Sequence, residues 1–166
     1  MTTPPQKTQS DIGYYLAPLV YGANDGIITT FAIISGAAGA TLKPEVMVIM
    51  GVASLFADGF SMGVSSYLSK KSQHEYETSN DLASKTTYYS PVKHGAATFL
   101  AFVVAGALPI IPFVILDPAG NSQFFISAMA TAAAFFVVGS LRSYLLEKSW
   151  WWAGLEMLLV GGSAAC

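Results

Sequence analysis

Three carboxylates lie within the long apolar stretches of the chain, at Asp25, Asp58 and Glu156. A charged side chain at the centre of a membrane helix costs roughly 2.5–3.5 kcal/mol on insertion scales, so it persists only where it faces a protein interior or a wet cavity. We expect these three acids to lack basic partners inside the apolar stretches. Unpaired acids in such places bind or transfer positive charge, which indicates a path for a metal cation or for protons.

Helical spacing surrounds two of these carboxylates with weakly polar side chains. Residues three or four apart share one face of a helix. The neighbours on these faces are Thr29 beside Asp25, and Ser61, Met62 and Ser65 beside Asp58. A face that mixes carboxylate, hydroxyl and thioether groups is unsuited to lipid contact, and we predict that Thr29, Ser61 and Ser65 line a path.

We predict that Asp25, Asp58 and Met62 form a metal site in the inner half of the bilayer. A thioether beside carboxylates favours Fe(II) or Mn(II) over Mg(II) and Ca(II), which prefer shells made only of oxygen. Asp58 and Glu156 are the predicted proton-coupling groups. Two simpler interpretations stay open, in which Met62 only fills space and Glu156 is a structural acid.

Glycines recur at a spacing that suits close helix packing. Gly22 and Gly26 fall on the first apolar stretch, and Gly59 and Gly63 fall on the second. Small residues four apart let helix backbones approach each other. We expect these glycines to bring the first two helices together along a seam shared with a second copy of the chain, although they could also simply relieve crowding.

The composition places the chain among membrane proteins. Of its 166 residues, 53% are hydrophobic and only 11% are charged, against about 25% charged in a typical soluble domain. Apolar segments run near 20–40, 46–68, 95–116, 123–144 and 150–166. We therefore predict an all-α polytopic membrane protein, with residues 1–19 as a cytosolic segment and residues 20–166 as a domain of five transmembrane helices. The net charge of −2 gives no reason to expect a nucleic-acid partner.

The distribution of basic residues predicts the orientation in the bilayer. With a cytosolic amino terminus, only Lys43 among the 8 Lys and Arg residues falls on the outer side. This asymmetry follows the positive-inside rule, so the 41–45 loop should be external and the 69–92 loop cytosolic. The polar groups of that second loop are His74, Glu75, Glu77 and Asp81. We expect them to be solvated rather than to form a defined metal site.

Other features narrow the function class. Pro109 and Pro112 should bend the third span, because each removes a helix hydrogen bond. His94 is expected to be an interface residue at the start of that span. The sequence contains no phosphate-binding glycine loop and no convincing set of nucleophile, histidine and acid, so we expect neither ATP-driven pumping by this chain alone nor an enzyme.

Four stretches resemble the vacuolar iron transporter family: DGIITTFAIISGAAGA, ADGFSMGVSSYLSKKSQHEYE, GALPIIPFVI and GLEMLLVGGSAA. They occur in the family's order, from about Tyr21 to Cys166. The resemblance implies a homodimer of five-helix protomers with a cation path between the paired first and second helices. It also implies proton-coupled movement of Fe(II), often Mn(II), out of the cytosol. The family's metal-contacting Asp and Met correspond to Asp25 and Met62.

The chain departs from the best-known family members at two points. Those members carry a Glu eight residues before the Met, where this chain has Ser54, while Asp58 lies four residues before it. They also insert a cytosolic metal-binding domain between spans two and three, for which the present connection has no room. The chain therefore resembles a shorter, nodulin-like or bacterial branch, in the vacuolar membrane of a eukaryote or the inner membrane of a bacterium.

Two other function classes compete with proton-coupled transport. The chain could be a non-transporting membrane subunit whose acids are structural, or a passive channel for cations or protons. The sequence favours transport because its carboxylates cluster toward one side of the bilayer. We also expect a homodimer, because Asp25, Asp58 and Met62 of one protomer offer too few ligands for a dehydrated divalent ion.

Overall fold

The computed structural model describes residues 11–79, 90–116, 122–145 and 149–165. Its six helices are α1 (Asp11–Gly39), α2 (Pro44–Ser79), α3 (Pro91–Gly106), α4 (Ile111–Ile115), α5 (Ser122–Leu145) and α6 (Trp150–Ala165). Within these ranges the secondary structure is helical, with no strand, which confirms the predicted all-α class.

Three of the helices are long and apolar enough to cross a membrane: residues Gly13–Gly39, Pro44–Ser79 and Ser122–Ser143. They correspond to the first, second and fourth predicted spans. The third predicted span is divided between α3 and α4, and the fifth corresponds to α6, which has 16 residues in the described part of the chain. The arrangement of five spans stays a prediction.

Helix α3 packs against both α1 and α2, which also contact each other. The contacts run through four glycines, which are Gly22 and Gly26 on α1 and Gly59 and Gly63 on α2. An added Cβ at Gly22 or Gly26 would collide with backbone carbonyl oxygens of α3. At Gly63 it would lie 3.0 Å from the Cβ of Phe99. These glycines do pack helices together, but they face α3 of the same chain and not a seam between two copies, contrary to our expectation.

Two apolar clusters hold the bundle together. One joins the carboxyl-terminal half of α1 and the amino-terminal half of α2 to α3 and α4 through Ile34, Leu55, Phe102 and Phe113. The other joins α1 and α3 to α5 and α6 around Ile27, Phe135 and Met157. Because α1 contributes to both clusters, it fixes the position of α2 relative to the α5–α6 hairpin.

The second helix is longer than predicted. The predicted span ended at residue 68, but α2 continues to Ser79, so His74, Glu75 and Glu77 lie on a helix and not in a loop. Pairs four residues apart stabilise this extension, with Lys71 Nζ 3.8 Å from Glu75 Oε1 and Gln73 Nε2 donating to Glu77 Oε1 at 3.0 Å. Asp81, assigned to the same loop, lies outside the described residues.

The prolines of the third span interrupt the helix rather than bend it. Helix α3 ends at Gly106, a turn occupies residues 107–110, and α4 begins at Ile111. Backbone carbonyls freed at such a break need other donors, because lipid supplies none. Ser127 Oγ donates to the carbonyl oxygen of Pro109 at 2.7 Å, and Gln123 Nε2 donates to that of Leu116 at 2.6 Å. Helix α5 therefore supports the break.

Candidate metal-binding face

Asp25 and Asp58 lie on neighbouring helices and close enough for their charges to interact. Asp25 is half-buried on α1, and Asp58 is exposed on α2. The structure thus brings together the two carboxylates that the sequence singled out, although they lie 33 residues apart in the chain (58 − 25). Two adjacent carboxylates repel each other, and a divalent cation between them would remove that repulsion.

A hydrogen bond holds the Asp58 carboxylate in place. Ser54 Oγ, one turn earlier on α2, donates to Asp58 Oδ2. The Ser54 hydroxyl therefore supports a carboxylate one turn away on the same helix.

The polar stripe of α2 faces away from the rest of the chain. Asp58, Ser61 and Ser65 are all exposed, whereas the buried residues of α2 lie on the side that packs against α3. Met62 lies at the border between the two sides, half-buried and in contact with the cluster that contains Phe102. The structure therefore gives Met62 a packing role, and its place one turn from Asp58 also leaves it next to the exposed stripe.

The neighbouring side of α1 is also open. Thr29 and Asp25 are half-buried, Tyr21 is exposed, and an added Cβ at Gly36 would meet no atom within 4 Å. We call Asp25, Thr29, Asp58, Ser61 and Ser65, with Met62 at its edge, the acidic face. In the described part of the chain no three His, Cys, Asp or Glu side chains come together in a group that could hold a metal ion. One chain therefore presents two carboxylates and a thioether.

Glu156 does not belong to the acidic face and is not unpaired. It lies on α6, which packs against α5 and α1, and Arg142 Nη2 of α5 lies 3.4 Å from its Oε2. The glycines Gly139 and Gly154 let α5 and α6 approach closely enough for this contact. The expectation that all three acids lack basic partners was therefore wrong for Glu156, because helix packing brings a cation from the preceding span to it.

The sequence analysis missed a hydrogen-bonded cluster at the end of the bundle where α1 begins. His94 Nδ1 lies 2.7 Å from Ser66 Oγ, and Thr98 Oγ1 lies 2.9 Å from the same Ser66 oxygen. His94 and Thr98 are four residues apart on α3, and Ser66 follows Met62 by one turn on α2. That spacing was visible in the sequence, but the pairing of α2 with α3 was not.

Two buried polar atoms on α1 were also missed. Thr30 is fully buried, and neither its Oγ1 nor Asn24 Oδ1 has a hydrogen-bond partner among the described residues. Both flank the turn that carries Asp25. A polar residue in an apolar helix is the only signal that the sequence offered for them.

The sequence of the chain is similar to a known family and to several known proteins. A sequence model described as VIT family matches residues 16–85 and 80–166. The chain is 45% identical over 62 residues to the vacuolar iron transporter of Plasmodium berghei (strain Anka). The matched segment covers 37% of this chain and 23% of that protein. For the vacuolar iron transporter of Plasmodium falciparum (isolate 3D7) the identity is 44% over 61 residues, covering 37% and 22%.

A longer match is with vacuolar iron transporter homolog 2 of Oryza sativa subsp. japonica. It is 25% identical over 158 residues, covering 89% of this chain and 83% of that protein. The chain therefore spans most of the length of the rice protein but less than a quarter of the length of the two Plasmodium relatives.

Proposed function

Because the chain belongs to the VIT family, we propose that it is a membrane transporter that moves divalent iron, manganese or both out of the cytosol in exchange for protons. The observation that supports this most is the pair of carboxylates, Asp25 and Asp58, on adjacent apolar helices. Such acids are costly in a bilayer and persist where they serve ion movement.

The chemistry of the acidic face suits a borderline divalent ion. Asp25 and Asp58 supply anionic oxygens, and Met62 supplies a soft sulfur at the edge of the same face. Carboxylate oxygen alone would also suit Mg(II) and Ca(II), whereas an added thioether favours Fe(II) or Mn(II). In this proposal Asp25 captures the ion, Asp58 holds it, and Met62 contributes to selectivity.

The exposed position of the acidic face supports a two-fold dimer. Asp58, Ser61 and Ser65 would contact lipid in a single protomer, and polar groups in hydrocarbon lack partners. A second copy that covers this face would double the ligand set along the symmetry axis. Since the packing glycines face α3, the dimer seam in this proposal is formed by the open sides of α1 and α2.

Asp58 is the better candidate for proton coupling. Glu156 already has a cationic partner in Arg142, so it has little reason to exchange protons as metal passes. Within the described part of the chain, Asp58 accepts a hydrogen bond from the neutral hydroxyl of Ser54 and lies near a second acid, Asp25. Binding of a metal ion next to Asp58 would expel any proton it carries, which links the two movements.

Reconstitution into liposomes tests this function. We expect Fe(II) or Mn(II) uptake that increases when a proton gradient is imposed, and a decrease on the order of 10–100-fold for Asp25→Asn. Glu45→Gln is the matched control, since Glu45 is an exposed acid in the first turn of α2, away from the acidic face.

The alternatives predict different results in the same assay. Metal uptake at a rate that does not depend on the proton gradient would identify a passive channel. No uptake by a correctly folded protein would identify a structural subunit. Equal uptake by Asp25→Asn and the unmodified chain would contradict the proposed metal path.

A further inference from the structure

His94 is the contact point of three helices. It lies in the first turn of α3, only 8% of its surface is exposed, and its Nδ1 is 2.7 Å from Ser66 Oγ on α2. The ring of Tyr14 on α1 meets the imidazole edge-on, with ring centroids 5.2 Å apart. A buried titratable side chain therefore joins α1, α2 and α3 at one end of the bundle, and the proposed transport path does not use it.

A lysine shares this environment. The Lys70 ammonium, one turn beyond Ser66 on α2, lies 5.6 Å from the centroid of the same Tyr14 ring, in a cation–π geometry. Its charge also acts on His94. We call Tyr14, Ser66, Lys70, His94 and Thr98 the His94 cluster.

Protonation of His94 would not in itself break the hydroxyl chain. With a neutral ring that carries its proton on Nε2, Ser66 donates to Nδ1 and Thr98 donates to Ser66. With a charged ring, Nδ1–H would donate to Ser66, and the Thr98 hydroxyl would turn to the His94 carbonyl oxygen, 3.1 Å away. The cost of protonation must therefore come from charge and burial.

The charges around His94 oppose protonation. Lys70 faces it from α2, the Tyr14 ring faces it from α1, and Lys93 precedes it on α3. Among the described side chains, Tyr67 of α2 is a further titratable group nearby and packs against Gly95. Neither ion pair of the described residues, Lys71–Glu75 or Arg142–Glu156, supplies a carboxylate to the ring.

His94 precedes the predicted span 95–116. Its burial, and to a smaller extent the charge of Lys70, lower its pKa below the ordinary value of 6.5. The fold therefore favours the neutral ring, while the unfolded chain takes up a proton near pH 6.5. Stability from this site is complete above that pH and is lost as the pH falls below it, because the unfolded state then binds more protons than the fold.

We infer that His94 is a pH-responsive positioning residue that holds the end of α2 against α1 and α3 when neutral and loosens this junction when protonated. Two cations would then compete for one Tyr14 ring, and Lys70 would be displaced together with its stretch of α2. Ser66 lies one turn from Met62, so the change would reach the edge of the acidic face. This regulation is separate from any proton carried by Asp58.

Thermal unfolding of the detergent-purified full chain at about pH 7.5 and about pH 5.5 tests the inference, and it requires no transport. We expect the unmodified chain to lose roughly 2–4 °C in Tm on acidification, and His94→Gln, which keeps a donor and an acceptor but cannot take up a proton, to lose much less. His74→Gln is the matched control, because His74 is the other one of the chain's 2 histidines and is exposed on α2. It should retain the full acid response.

Lys70→Gln provides a second measurement that does not depend on whether His94→Gln folds. Removal of the competing cation should reduce the acid-induced loss measurably but by less than about half, because burial lowers the pKa of His94 more than the charge of Lys70 does. An acid response that is unchanged in both His94→Gln and Lys70→Gln, or that disappears in His74→Gln, would overturn the inference. A transport assay that fails while these responses hold would instead count against the proposed function.

Discussion

The acidic face and the α5–α6 hairpin each place a carboxylate in an apolar helix, but the groups around the two carboxylates differ in charge. Asp58 on α2 is exposed, accepts a hydrogen bond from the Ser54 hydroxyl and lies near another acid. Glu156 on α6 lies 3.4 Å from the Arg142 guanidinium. An uncompensated acid can accept a cation from solution, whereas a compensated one has a partner already. The neighbouring charges, rather than the residue type, therefore decide which acid suits ion movement.

The largest expected effect compares these two acids directly. Asp58→Asn should reduce metal uptake in liposomes on the order of 10–100-fold, because it removes an anionic ligand and the proposed proton-coupling group of the acidic face. Glu156→Gln should leave the rate within about threefold of the unmodified chain. A wild-type rate and pH dependence for Asp58→Asn, or a large loss for Glu156→Gln, would reverse the assignment.

A second prediction concerns which side of α1 is open. Gly26→Ala should destabilise the protein by about 1–3 kcal/mol, since the new methyl group collides with the Phe102 carbonyl oxygen, a backbone atom that cannot turn aside. Gly36→Ala adds the same methyl group where no atom lies within 4 Å, and should not lower the unfolding temperature of detergent-solubilised protomers, because Ala also favours a helix more than Gly does. Equal losses in the two variants would mean that α1 packs through a different face.

The ion pair offers a third test. Arg142→Met should lower stability by about 1 kcal/mol, a value kept small because the Glu156 side chain is 64% exposed. The double variant Arg142→Met/Glu156→Gln should recover most of this loss, because it leaves no charge without a partner. Thermal unfolding of the two single variants and the double variant measures the coupling. Strictly additive losses would show that the pair contributes nothing.

The smallest expected effect is on selectivity. Met62→Leu preserves volume in the cluster around Phe102 and removes the sulfur, so stability should change by less than about 1.5 kcal/mol. Fe(II) uptake should fall more than Mn(II) uptake, by less than about tenfold, because the thioether is the softer ligand. An identical reduction for both ions would leave Met62 with a packing role alone.

Local patterns in the sequence predicted much of this arrangement. Continuous apolar runs predicted helices, and the three- and four-residue spacing after Asp58 predicted the stripe that the structure shows on α2. The proximity of Asp25 and Asp58 followed from the short connection between α1 and α2, which forces antiparallel neighbours. These features depend on residues within one helix or one hairpin.

The misjudged features depend on packing between distant segments. Arg142 and Glu156 are 14 residues apart and meet only because α5 and α6 pack through glycines. Ser66 and His94 are separated by 28 residues, across the connection between α2 and α3. The spacing of the glycines on α1 and α2 predicted that another helix packs closely against them, but it did not identify that helix as α3. A spacing pattern defines a face, but it does not say which neighbour covers that face.

Helix α2 also differs mechanically from α3. It runs without an internal proline or break from Pro44 to Ser79, whereas α3 ends at Gly106 and the third predicted span continues as α4 only after a turn at residues 107–110. Glu75, on the extension beyond the predicted span, is separated from Asp58 by about 25 Å along the axis of α2, at 1.5 Å per residue. A rotation of that extension would therefore be carried along the unbroken helix to the carboxylate. The third span is broken at residues 107–110, so α2 is the continuous helix that links its own extension to the acidic face.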